Sequence, residues 1–220
     1  MSNTFRYSTM GLTGFALRFV IFIGFLLFYG LVRAQNARAE IFRSNVEYRK
    51  AMNREFADPL TTPLTEEGLI IFSALDFFPV KPKYRVVSKL ELTPDEKPFE
   101  MQRSKGNTGT YRKYGELTFK LNGKTCKLSV YQYLKLLNDS IHSDDLFLPF
   151  KDLTNGKQTY GGGRFLDLKI PVGDELIIDF NQAYNPLCCY GNPRYSCPIP
   201  PAENHLNIKI LAGEKKYNEK

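Results

Sequence analysis

Asp179 and Asn181 stand two residues apart around the end of the alternating run ELIIDF, so their side chains leave an extended backbone on one face. Tyr184 and Asn185 follow, just before Pro186, and Asn204 comes after the proline-rich run CPIPPAE. Prolines fix φ and hold an irregular segment in one path, so these carboxylate, amide and phenol groups point to a polar pocket with Asp179 and Asn181 as its floor. Arg164, at the mouth of the run RFLDLKI, brings a cation to the same edge. Such a set suits a small polar or anionic ligand, a sugar or a carboxylate. The plainer alternative is a buttress, in which the Asn and Asp side chains satisfy loop amides and bind nothing.

Catalysis at this place would fall to carboxylates, with Asp152 or Asp179 as the acid/base of a hydrolase or lyase. Nucleophilic catalysis has little to draw on: there is no Gly-x-Ser-x-Gly elbow, and the only histidines are His142 and His205. Whether the chain is an enzyme is therefore open. The glycines of TYGGGRF precede a strand pattern, whereas a phosphate loop opens a helix. They serve unusual backbone angles and a close approach of chain segments, or else a backbone-amide anion pocket. His142 beside Asp144 and Asp145 reads as a solvated loop, with cation binding as the alternative. No resident metal or cofactor is expected.

Compartment governs the cysteines. Residues 1–34 hold Arg6, Arg18 and Arg33 but no Asp, Glu or Lys, and enclose the apolar run Phe19–Val32. That is the pattern of a secretory signal cleaved after Ala34, or of an uncleaved anchor that would be the chain's only membrane contact. The expected location is extracytoplasmic: periplasmic or secreted, and membrane-anchored if uncleaved. Thiols pair in such compartments. Cys188 and Cys197 are the expected disulfide, with Cys126 free or joined to Cys189. A zinc site from Cys188, Cys197 and His205 is the competing reading, and it lacks any C-x-x-C pair. Without its first 34 residues the chain keeps 27 Lys and Arg against 23 Asp and Glu, scattered among one another. Nucleic-acid binding needs a basic stripe, so it is excluded.

The elements that must position these residues follow from periodicity. Residues 35–58 carry Phe42, Val46, Arg49, Met52 and Phe56 near helical spacing and end at Asp58-Pro59, predicting one amphipathic N-terminal helix. Residues 59–220 read as a β domain. Strand patterns recur at 83–92, 116–121, 146–150, 164–170, 175–180 and 206–211, with Asn122-Gly123 joining two alternating runs as a tight hairpin and PVGD predicted to turn 164–170 back onto 175–180. The expected fold is mainly β: a single antiparallel β-barrel or a two-layer β domain with one N-terminal amphipathic helix.

LFLPFKDLTNGKQTYGGGRFLD, DFNQAYNPLCCYGNPRYSCPIPPAEN and the closing KILAGEKKY closely resemble the bacterial family known as domain of unknown function 1684, and LDFFPVKPKYRV and TYRKYGELTFKLNGK resemble its upstream signature. The resemblance runs from about Phe42 to Tyr217. It matches Phe150, Asp152, Thr154 and Gly156, then Tyr160 and Arg164, then the Asp179–Asn204 segment, and it adds Tyr160 to the candidate ligand residues. This sequence departs in placing Cys189 where a small residue is usual and His205 where Arg is common. The family implies no activity. The expected function is thus an exported β domain that binds a small polar or anionic ligand, with the carboxylate enzyme and a structural envelope-interaction protein as alternatives.

Overall fold

The computed structural model describes residues 10–217. It divides into two compact units, one up to Arg43 and one from Ser44 onward. A single helix, α1 (Met10–Ala57), runs through both. It is longer than the predicted 35–58 and passes Ala34 without a break. The leader or anchor expectation rests on residues 1–34, whose first nine positions and whose side chains up to 27 lie outside the described residues. Among the described residues, no helix is long and apolar enough to cross a membrane.

In the second unit the end of α1 presents Asn45, Tyr48, Met52 and Phe56 to the β domain, while Phe42 and Val46 are exposed. The buried stripe is therefore rotated from the predicted one, keeping Arg49, Met52 and Phe56. The physical reason is polar: Asn45 is fully buried because its Nδ2 donates to Asp179 Oδ2 at 3.0 Å. The helix stops before Asp58-Pro59, as expected of a residue preceding proline. A short helix, α2 (Glu66–Ile71), follows, capped by Thr65 Oγ1 accepting from the Gly68 N–H at 3.0 Å.

Seven strands make one antiparallel sheet: β1 (Arg85–Leu92), β2 (Phe99–Gln102), β3 (Thr108–Leu121), β4 (Lys124–Tyr133), β5 (Asp145–Phe150), β6 (Arg164–Lys169) and β7 (Glu175–Asp179). Their order is β6-β5-β4-β3-β1-β7, with β2 beside one end of β3. The β3–β4 hairpin turns at Asn122 (φ 50°) and Gly123 (φ 78°), the pair of positive angles that a two-residue primed turn requires.

The predicted β6–β7 hairpin does not form. β6 pairs with β5 and β7 with β1, so consecutive strands occupy opposite ends of the sheet. In a flat sheet those ends would lie about 24 Å apart. The link from Lys169 to Glu175 spans roughly 20 Å even when fully extended, so the sheet curls into a half-barrel. Alternation in 164–170 and 175–180 fixes which face is buried but not which neighbour each strand takes. The concave interior holds the main core, with Leu90, Leu117, Leu128, Leu148, Leu166 and Ile178 converging from six strands.

The predicted strand at 206–211 is also corrected. Leu206, Ile208 and Ile210 are buried as the alternation demands, but the segment joins no ladder. Its backbone is satisfied individually: Leu206 N–H donates to Lys151 O at 2.8 Å, Ile208 O accepts from Leu153 N–H at 2.9 Å, and Leu211 N–H donates to the Tyr84 hydroxyl at 3.2 Å. The backbone at 151–153 supplies part of what a neighbouring strand would give, and the Tyr84 side chain supplies the rest.

Candidate functional site

Residues whose side chains leave the sheet on its outer face build a second surface. Phe147 of β5 is flanked in register by Tyr131 of β4 and Asp167 of β6, and Tyr111 of β3 sits opposite Tyr133 of β4. Phe165 forms a bridge with Tyr184 beyond the sheet edge. Cross-strand neighbours share a face, so these residues form a continuous aromatic path. Tyr111 stacks on Tyr133 with centroids 4.8 Å apart, Phe147 meets Phe165 edge-on at 4.8 Å, and Phe165 meets Tyr184 edge-on at 6.0 Å.

Two further elements wall this path into a cavity of about 490 Å³. From one side the end of α1 contributes Tyr48, Met52, Glu55 and Phe56. From the other, the proline-rich loop contributes Leu187 and residues 195–198, and Arg103 closes the β2 end. Small-molecule sites span roughly 300–1,000 Å³ and combine apolar and aromatic walls with a few placed polar groups. The polar groups here are Asp167, Glu55, Arg103 and the tyrosine hydroxyls.

Asp167 is the chemical centre. Its Oδ2 accepts from the Tyr184 hydroxyl at 2.7 Å, and among the described residues no Lys or Arg pairs with it. It reaches solvent through the cavity, yet the surrounding protein desolvates it enough to push its pKa above the ordinary carboxylate value, partly opposed by the Tyr184 hydrogen bond. Burial also raises the Tyr48 and Tyr184 phenols, so both remain neutral donors. Arg103 is largely engaged elsewhere: its Nε donates to Ser196 O at 2.9 Å and its Nη2 reaches the same carbonyl.

Of the ligand residues expected from sequence, Tyr184 alone lines this cavity, and Cys197 of the expected disulfide pair lines it too. The others lie in buried networks. Arg164 is fully buried, ion-paired with Asp152 Oδ2 at 2.7 Å, and donates to Ile210 O at 3.0 Å and to Ala212 O. Asp152 Oδ1 accepts from Thr154 N–H at 2.7 Å. Asp179 accepts from Asn45, from Arg85 at 3.3 Å and from both nitrogens of Asn181. Asn181 clasps the backbone of Lys81, donating to its carbonyl at 3.1 Å and accepting from its N–H at 2.9 Å. Asn204 does the same for Ser129 at 2.8 and 2.7 Å, and Asn185 Nδ2 donates to Lys215 O at 2.7 Å. Apart from Arg164 Nε and Asn185 Oδ1, which have no hydrogen-bond partner among the described residues, these buried polar atoms are committed to the fold. Tyr160, half-buried, faces the Cys188 thiol.

No sulfur–sulfur bond joins Cys188 to Cys197, the expected disulfide pair. Cys188 and Cys197 are nevertheless in contact, held by a hydrogen bond from the Cys188 N–H to Cys197 Sγ at 3.0 Å. Among the described residues no group of three His, Cys, Asp or Glu is placed to hold a metal ion. His205 Nε2 lies 3.3 Å from Pro200 O, and His142 contacts Asp145 at 2.7 Å on an exposed loop.

Sequence reasoning did not select Asp167, and it missed Tyr48, Tyr111, Phe147, Phe165 and Arg103. One signal was present. LFLPF and the start of RFLDLKI are apolar at odd and even positions alike, the pattern of strands covered on both faces.

The model of a family described as a protein of unknown function, DUF1684, matches residues 71–215. A solution NMR structure of an uncharacterized protein from Haloarcula marismortui is similar at 30% identity and a TM-score of 0.64, covering 82% of this chain and 97% of that one. Comparison with curated proteins gives no match. The seven strands and the cavity's sheet and loop walls fall inside the matched span, and the α1 wall precedes it. On this match the chain belongs to the DUF1684 family.

Proposed function

We propose that this chain is a binding module for a small polar ligand, held in the cavity between the outer face of the sheet, the end of α1 and the proline-rich loop. The observation that carries this reading is Asp167, an acceptor without a basic partner among the described residues, set against aromatic faces and hydrogen-bonded to Tyr184. Aromatic faces attract cations and the C–H faces of ring compounds, and a carboxylate accepts from ammonium or hydroxyl donors. The ligand is therefore a polyol or an organic cation. The anionic half of the sequence expectation leaned on Arg164, which is neutralised by Asp152. The reading also sets the protein outside the cytoplasm, supported by the arginine-flanked apolar run Phe19–Val32.

An acid/base enzyme at the same place is the second reading. It is favoured by the raised protonation range of Asp167, and turnover of the bound compound is its signature.

The chain has no tryptophan, so its fluorescence comes from tyrosines, and five of the thirteen line the cavity. Purified protein is screened against sugars, amines, quaternary ammonium compounds and carboxylates by that signal and by thermal shift. A polyol or cation that raises the melting temperature of wild type, and at least tenfold less tightly binds Asp167→Asn, is the expected result. Binding confined to carboxylates, or insensitive to Asp167→Asn, would sink the proposal. Affinity for a cation should fall with pH as Asp167 protonates, at a pH above the ordinary carboxylate range, because only the carboxylate form attracts it.

A further inference from the structure

The Cys188–Cys197 pair carries chemistry that ligand binding does not use. Cys188 lies in the tight turn Leu187–Tyr190, between Pro186 and Gly191, which adopts φ 81°. Cys197 is pinned from the other side. Its N–H donates to Ser104 Oγ at 3.1 Å and its carbonyl accepts from Ser104 N–H at 2.8 Å. Two rigid segments thus hold two thiols in contact without a covalent bond. Cys188 is partly exposed, so a small molecule can reach it. The remaining cysteines face elsewhere: Cys126 points into the half-barrel core, and Cys189 packs with the Phe56, Leu64 and Tyr190 cluster.

The environment divides the two protons unequally. The hydrogen bond from the Cys197 thiol outweighs burial and lowers the Cys188 pKa to about 6, with Ser104 adding to the effect. The same contact holds the Cys197 proton in place, well above the ordinary thiol value. The contact and Ser104 favour the thiolate at Cys188, the more exposed sulfur of the pair, with Cys197 placed to act as the resolving cysteine.

We propose that Cys188 and Cys197 form a reactive dithiol that undergoes thiol–disulfide exchange with low-molecular-weight disulfides. The Cys188 thiolate attacks one sulfur of the disulfide RSSR, giving a protein–S–S–R bond and expelling RS⁻, which takes a proton from solvent. Cys197 then gives up its proton and attacks Cys188 Sγ, which closes the intrachain disulfide and expels the second RS⁻ to take up a proton. RSSR has gained two electrons as two RSH, and the protein has lost them. Because Leu187 and residues 195–198 wall the cavity, the oxidised form ties two of its wall segments together. The exchange itself stands whether or not the cavity binds a ligand.

The test uses the full chain, reduced and then incubated with glutathione disulfide, with free thiols trapped by iodoacetamide and peptides read by mass spectrometry. The expected product is a Cys188–Cys197 disulfide in wild type and in Cys189→Ser, reversed by excess reduced glutathione. Cys197→Ser should stall as a Cys188–glutathione mixed disulfide, and Cys188→Ser should not react. In the reduced protein, iodoacetamide should modify Cys188 at least about tenfold faster than Cys126. Recovery of all four thiols in wild type would overturn the proposal, as would a Cys188 mixed disulfide that never resolves or a faster reaction at Cys126 or Cys189. The wild-type result decides even if a variant fails to fold.

Discussion

Arg164 shows how a residue chosen for its chemistry can turn out to be a fastener. Its guanidinium is fully buried, lies 5.3 Å from the Phe150 ring centroid, pairs with Asp152 and donates to the carbonyls of the 210–214 segment. Its Nη1 and Nη2 make these bonds from one planar fork, which a single ammonium does not reproduce, while Nε has no hydrogen-bond partner among the described residues. Arg164→Ala should therefore leave Asp152 as an uncompensated buried charge and cost on the order of 3–5 kcal/mol of unfolding free energy. Urea denaturation of the variant measures this. A loss below about 1 kcal/mol would mean that the buried pair contributes little and that Arg164 is free for another role. Asp167→Asn, by contrast, sits on an open wall and should unfold at nearly the wild-type urea concentration. The two substitutions separate what the fold needs from what a ligand meets.

At the scale of elements, the sequence specified local geometry well and long-range partners poorly. The Asn122-Gly123 turn, the end of α1 and six of the seven strands were legible from periodicity and turn chemistry, because those signals act within a few residues. The omitted strand, β2, has four residues and pairs with one end of β3 alone. The β6–β7 hairpin failed, and the 206–211 strand failed too, because burial alternates identically whether a segment joins a ladder or is satisfied by Tyr84, Arg164 and Lys151. Neither alternation nor composition could announce the cavity, since its walls come from α1, the outer sheet face and a loop, each unremarkable alone. The glycine run was read better. Gly163 has φ +103°, and a Cβ there would sit 2.7 Å from both Phe150 O and Pro200 Cγ, whereas a Cβ at Gly161 would meet nothing closer than 3.7 Å. Gly163→Ala should cost about 2 kcal/mol or more by strain and clash, and Gly161→Ala should stay within about 0.5 kcal/mol. Thermal denaturation of the pair tests this. Equal effects would show that the run acts as a unit and not through one close approach.

Across the whole molecule, one buried carboxyl joins segments that no sheet connects. Glu214 is 1% exposed; its Oε1 accepts from the Tyr190 hydroxyl at 2.5 Å and its Oε2 from the Asn185 N–H at 2.9 Å. Its neighbours complete the strap: Glu214 N–H donates to Ala183 O and Lys215 N–H to Asp76 O, both at 2.8 Å. The C-terminal segment thus ties the proline-rich loop to the chain that follows α2. Burial pushes the Glu214 pKa from an ordinary 4.5 up to about 7, more than its hydrogen bonds and Arg164 offset. A raised carboxyl pKa means that between those values the folded state keeps a proton the unfolded chain has released. Stability from this group is therefore fully present below about pH 4.5 and lost as pH rises through about 7, by roughly 3 kcal/mol in total. Glu214→Gln keeps an acceptor for Asn185 and an amide that the Tyr190 oxygen can accept from, and it has no proton to lose. Urea unfolding at pH 5 and pH 8 should show wild type losing up to about 3 kcal/mol more than the variant over that interval, while other titrating groups cancel in the difference. If wild type and variant instead change in parallel from pH 5 to pH 8, Glu214 stays ionised in the fold over that range, with Arg164 as its counter-charge. The strap would then be an electrostatic clasp loosened only by acid, not a protonated one loosened by base.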